Sequence, residues 1–300
     1  MRRARATAPA APVLAALMAM LIGGLLGGCA DVPPPSLTPP PSATSSVVVE
    51  EDLPYRTVDG EKLLADVCRP REATGALPAM ILVHGGGFSQ GGKKDVRSLC
   101  ETLAKQGVVG VAISYRLLPD HAFPSQVEDV VAAMSWVADP AIARQHDIDP
   151  ARIGLLGSSA GAIIAESVGV GIGSPPFRPA VVAAFSGASD FTPGASGGVP
   201  SGGDAERLAL AYLGCASVAA CPTAEAASPA KHVTAESSPM FLVNGSEELI
   251  PVGQPQAMSD ALAASGVAQQ LVVVPGNRHG LDLLTPDVLR AMQDFLSQHL

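Results

Sequence analysis

Apolar residues in this chain gather into short solid runs separated by amphipathic or glycine-rich stretches. Runs at 80–83, 108–114, 152–156, 181–185, 240–243 and 271–274 are mainly aliphatic. Strands apolar on both faces belong to parallel sheets covered on both sides. Helix-compatible stretches fall at 95–106, 124–138, 159–170 and 286–299. In 124–138, Val127, Val130, Val131, Met134 and Val137 repeat on one face at helical spacing. The alternation predicts an α/β fold, a mostly parallel sheet with helices on both faces. Upstream, 55–58 and 62–67 flank Asp59-Gly60, a hairpin turn signal. Residues 191–231 break the rhythm with Gly, Ser, Pro and Ala. They read as a small cap or insertion over the carboxyl edge of the sheet, with one helix at 204–213. There is no internal repeat.

The pattern changes character before residue 47. Arg2, Arg3 and Arg5 precede an apolar run at 10–26, the form of a secretory signal peptide over 1–28. That run is glycine-interrupted and short of the roughly 20 apolar residues needed to span a bilayer. It ends in Leu26-Gly27-Gly28-Cys29, which resembles a bacterial lipobox and marks Cys29 as a lipidation candidate. Residues 29–46, rich in Pro, Ser and Thr, form a disordered linker that suits either a membrane tether or a plain spacer. The folded domain is expected from 47 to 300. These signals place the protein outside the cytoplasm, as a bacterial membrane lipoprotein or a secreted protein.

Charge narrows the partners. The net charge is −9, and the three leader arginines leave −12 on the rest. An acidic body without basic runs argues against nucleic acid and against electrostatic docking on anionic lipid. A membrane partner is expected only through the lipid anchor. Of five cysteines, four remain after Cys29, and export favours disulfides among them. Cys215 and Cys221 lie close together in the insertion and are the first candidate pair. Cys68 and Cys100 follow by elimination, with free buried thiols as the alternative. No C-x-x-C or histidine cluster suggests a metal.

The candidate chemistry centres on residues 152–161, RIGLLGSSAG. A strand turning sharply into a helix through G-x-S-x-G presents Ser159 on a tight corner, the geometry of a nucleophile elbow. A serine nucleophile needs a base, an acid to orient the base, and donors for the oxyanion. His84-Gly85-Gly86-Gly87-Phe88 follows a buried strand. Its consecutive glycines offer the N–H groups of Gly86 and Gly87, joined by that of Ala160. His279, in Pro275-Gly276-Asn277-Arg278-His279-Gly280 directly after the last strand, is the base. The acid follows the strand at 240–243, where Glu247 and Glu248 compete. Glu248 is favoured by its distance from the strand, and Glu247 remains the alternate. The other five histidines are read as structural or solvated. Phe88, Phe123, Phe191 and Tyr212 either line a pocket or, the preferred reading, fill the core.

In order along the chain, HGGGF, SYRLLPDHAFPSQVEDVVAAMSWV, DIDPARIGLLGSSAGA and VVVPGNRHG resemble the hormone-sensitive-lipase-like esterases of the α/β-hydrolase superfamily. The resemblance covers roughly residues 55–300. It implies a carboxylic ester hydrolase working through Ser159, Glu248 and His279 with an acyl-enzyme intermediate and no cofactor. The substrate would be a small-molecule or polysaccharide ester. The resemblance also implies that Asp129 and Trp136 are structural and that Arg116 and Asp120 brace the loop near the oxyanion hole. Ala162 stands where the group usually has glycine, and a glutamate where it usually has aspartate. An exported serine peptidase of related fold and a non-catalytic binding module are the competing readings.

Overall fold

The computed structural model describes residues 46–195 and 203–300. The expected signal segment, the linker up to residue 45, the Cys29 candidate and residues 196–202 of the insertion lie outside the described residues.

Eight strands form one sheet in the order β1-β2-β4-β3-β5-β6-β7-β8. They are β1 Val47–Val58, β2 Glu61–Pro70, β3 Leu77–Val83, β4 Val109–Ile113, β5 Ile148–Ser158, β6 Val182–Phe185, β7 Met240–Gly245 and β8 Gln269–Val274. The β1–β2 and β2–β4 pairings are antiparallel. From β4 onward every pairing is parallel. The helices are α1 Arg97–Lys105, α2 Ser125–Val137, α3 Pro140–Gln145, α4 Ala160–Gly169, α5 Gly203–Leu213, α6 Gly253–Ala264 and α7 Pro286–Leu296.

The solid apolar runs are explained by two separate cores. On β3, Ala79, Ile81 and Val83 face one core while Met80 and Leu82 face the other. On β7, Met240 and Leu242 face the first core, and Phe241 and Val243 the second. Successive side chains of a strand point to opposite faces, so only an unbroken apolar run keeps both layers dry.

The hairpin is longer than the sequence predicts, because β1 begins at Val47. Its first half carries acids along the sheet edge, which hides the strand signal. One of the exposed acids there, Glu51, pairs with Arg97. At the heart of this corner Asp66, with no exposed side chain, accepts from Lys93 Nζ at 2.6 Å and Asp52 N at 2.9 Å, and pairs with Arg97. Burial opposes its charge, but these donors together hold the carboxyl below the usual range. Two disulfides, Cys68–Cys100 and Cys215–Cys221, are formed. The first ties β2 to α1; the second closes a short loop after α5.

Candidate active site

β5 runs straight into the corner at Ser159, which sits at φ 55° and ψ −119°. Few side chains accept that backbone. The flanking glycines are required by contact: a Cβ on Gly157 would stand 2.1 Å from the Gly161 carbonyl oxygen, and one on Gly161 would stand 2.1 Å from that of Val83. Ser159 N donates to Phe185 O at 2.7 Å, pinning the corner to β6. Ala162 lies in the core behind it with no exposed surface.

Two loops from further along the sheet, after β7 and β8, complete the site at this serine. His279, after β8, has Nε2 2.8 Å from Ser159 Oγ. Its Nδ1 is hydrogen-bonded to Glu248 Oε2, so the serine hydroxyl donates to Nε2 and Nδ1–H donates to the carboxylate. The Glu248 side chain is 0% exposed against 33% for His279. Its Oε1 accepts from Gly245 N at 2.7 Å and from Ser186 Oγ at 2.8 Å. Gly245 lets the acid loop come close, since a Cβ there would stand 2.6 Å from Arg278 O. Of the two competing glutamates, Glu248 reaches the histidine and Glu247 is exposed.

Gly86 (φ 106°) and Gly87 (φ 58°) adopt left-handed backbone beside the serine. Their N–H groups, and that of Ala160 at the start of α4, donate to no protein acceptor among the described residues. His84 underpins this loop. It is fully buried, stacks on Tyr115 with centroids 4.1 Å apart, and donates from Nδ1 to Gly85 O at 2.7 Å. Burial lowers its pKa, so it serves the loop as a neutral ring. Leu118 N donates to Phe88 O at 2.8 Å, tying the segment after β4 to the same loop.

Three other histidines have local partners. His146 is buried near Trp136, with ring centroids 6.2 Å apart. His232 bonds Glu225 O, and His299 packs on Phe295.

Asp129 is fully buried, accepts from Arg116 N and Nε at 2.9 Å, and pairs with Arg56. Arg116 thereby braces the segment leading into α2. Asp120 does not share this task. It is exposed and its side chain makes no bond among the described residues, because Arg116 is turned toward Asp129 and Glu128.

A cavity of about 70 Å³ opens beside Ser159, walled by Phe88, Ile163, Ala188, Phe191, Leu208 and Ile250. Leu208 of α5 closes it over the glycine loop, and its Cδ1 would stand 2.6 Å from a Cβ on Gly87. Tyr212 fills the core behind, stacked on Phe88 at 3.8 Å with Phe123 edge-on at 5.7 Å. Phe88 and Phe191 therefore do both jobs, packing the cap and walling the cavity. Across the glycine loop lies an open cleft of about 490 Å³ with Gln90, Asp95 and Ser158 on its walls.

The family profile BD-FAE matches residues 65–262. The chain belongs to the BD-FAE family. Its fold is the α/β-hydrolase fold. This BD-FAE chain is 30% identical over 232 residues to a probable carboxylic ester hydrolase, LipM, of Mycobacterium tuberculosis, covering 71% of the chain and 51% of that protein. It is 29% identical over 261 residues to esterase LipQ of the same organism, covering 82% of the chain and 61% of that protein. It thus spans about half to three fifths of these relatives. Among solved structures, a truncated carbohydrate esterase from gut microbiota superposes with a TM-score of 0.71 at 20% identity, covering 87% of this chain and 98% of that one. Esterase Est2 of Thermogutta terrifontis superposes at 0.68 and 23% identity, covering 87% and 94%. At these identities the superpositions speak for the fold.

Proposed function

We propose that the protein is an exported serine carboxylic ester hydrolase for short acyl groups. The observation that carries this reading is the Ser159–His279–Glu248 chain of hydrogen bonds beside three free backbone donors. Ser159 Oγ attacks the ester carbonyl as His279 Nε2 takes its proton. Glu248 holds the imidazole tautomer and stabilises the imidazolium. The carbonyl oxygen, as it gains charge, is received by the N–H groups of Gly86, Gly87 and Ala160. His279 returns the proton to the departing alcohol, leaving an acyl-Ser159 ester. Water activated by the same histidine then releases the acid.

The two openings divide the ester. The cavity of about 70 Å³ beside Ser159 is small and walled by apolar side chains, which suits a short acyl group such as acetyl or propionyl. The wider cleft across the glycine loop, about 490 Å³, leaves room for the alcohol, small-molecule or polysaccharide. Export is supported by the signal-like leader, the lipobox at Cys29 and the two disulfides, which persist in oxidising compartments. In this reading the linker at 29–46 tethers the catalytic domain to the membrane through the lipidated Cys29.

The test is hydrolysis of p-nitrophenyl esters from acetate to decanoate by the purified protein and by Ser159→Ala. Rates should be highest at two to three acyl carbons and vanish in the variant. Equal activity in both proteins, or none in either, refutes the proposal. Cleavage of amides in preference to esters would point to a peptidase instead.

A further inference from the structure

Ser186 stands at the carboxyl end of β6, between the strand leading to Ser159 and the strand leading to Glu248. It is fully buried and sits at φ 60°. A non-glycine residue in that region is strained, and glycine would fit it more easily. Its backbone N donates to Val243 O at 2.8 Å, which locks it to the end of β7.

The hydroxyl has two partners. It lies 2.8 Å from Glu248 Oε1 and 2.8 Å from Gly280 N. A hydroxyl has one proton and two lone pairs. The Gly280 N–H occupies a lone pair, so the proton goes to the carboxylate. One oxygen thus joins the acid to the backbone adjoining the base. Gly280 is itself held tightly: it lies at φ 59°, and a Cβ there would stand 2.5 Å from Ser158 Oγ.

We infer that Ser186 is a positioning residue of the triad, its hydroxyl keeping Glu248 and the peptide next to His279 in catalytic register. The inference rests on the Ser159–His279–Glu248 reading. It also accounts for a serine kept where the backbone prefers glycine.

The test compares Ser186→Gly, Ser186→Ala, Ser186→Cys and Ser159→Ala in the full chain, with p-nitrophenyl acetate as substrate. Ser186→Gly relieves the backbone, so its thermal unfolding should stay close to that of the parent. Its kcat should nevertheless fall about 10- to 100-fold, the worth of one hydrogen bond to a charged group, with KM little changed. Its pH–rate profile should also depart from the parent's, because the carboxylate that pairs with His279 loses a hydrogen-bond donor. Ser186→Ala should match it, and Ser186→Cys, with its weak donor, should fall between. If Ser186→Gly loosens the fold, the cysteine variant, close to serine in shape, decides. A parental kcat and pH profile in the folded variants, with Ser159→Ala inactive, overturns the inference and leaves the triad reading intact. An active Ser159→Ala overturns both.

Discussion

Replacing Glu166 by glutamine measures what it costs to keep a carboxyl group in the middle of a hydrophobic helix. Glu166 lies on α4, 1% exposed, with Ser189 Oγ donating to Oε2 at 2.8 Å. Gly187 leaves room for it, since a Cβ there would stand 2.4 Å from Oε1. Burial raises its pKa from 4.5 to about 8, and the Ser189 hydroxyl offsets only part of that. The group is therefore neutral in the folded protein at pH 7 and charged in the unfolded chain. Between pH 4.5 and 8 the folded state holds a proton that the unfolded state has released, so stability falls as pH rises through that window. The full displacement corresponds to about 5 kcal/mol, of which about 4 kcal/mol falls between pH 5 and pH 9. Glutamine keeps the shape and removes the titration. Urea unfolding of both proteins at pH 5, 7 and 9, disulfides intact, should give similar stabilities at pH 5. The variant should gain steadily until it leads by several kcal/mol at pH 9. Two curves that stay parallel would refute the neutral buried carboxyl.

Three further outcomes follow from the geometry. Glu248→Gln should lower kcat by roughly 10³- to 10⁴-fold by disturbing the histidine tautomer, whereas Glu247→Gln, at an exposed site, should leave the p-nitrophenyl acetate assay unchanged. Leu208→Ala removes the wall over the glycine loop, so the preferred acyl chain should lengthen by one to three carbons while acetate turnover changes little. Replacing Cys68 and Cys100 together by alanine frees a 32-residue separation. It should cost about 3.7 kcal/mol in urea unfolding on a chain-entropy estimate, with the protein still folding at low temperature.

Much of this architecture was legible because its signals are local. The aliphatic runs mark buried parallel strands, and G-x-S-x-G and HGGGF mark the corner and the donor loop by their glycines. His279 could be found by its place after the last strand. The preference for Glu248 over Glu247 rests on a count from β7; in the fold the turn aims position 248 toward His279 and leaves 247 exposed. Other features had no local signal. The acidic first half of β1 sits at a sheet edge, where one face need not be apolar. α6 begins at Gly253 and mixes Gln, Ser and Asp with Ala, so its helical face is faint. The resemblance assigns Arg116 and Asp120 together to bracing the loop near the oxyanion hole, but it is Asp129, one helix turn into α2, that Arg116 reaches. Ser186 lies in Phe-Ser-Gly-Ala-Ser, which carries no motif. Its role depends on a positive φ and on two loops that arrive from 62 and 94 residues away.

The wall that Leu208 sets over the glycine loop separates two kinds of inheritance within one chain. The proposed reacting groups hang from strand ends at one edge of the sheet, where a Cβ added at Gly157 or Gly161 would meet backbone at 2.1 Å, so little change is tolerated. In the proposed reading, the fit to the acyl group depends on α5, a helix outside the sheet that is followed by a disulfide-closed loop and held by Tyr212 stacking on Phe88. Variation in α5 can therefore retune what is accepted while the bond-breaking apparatus stays fixed. Grafting that one helix between relatives should transfer preference without transferring rate.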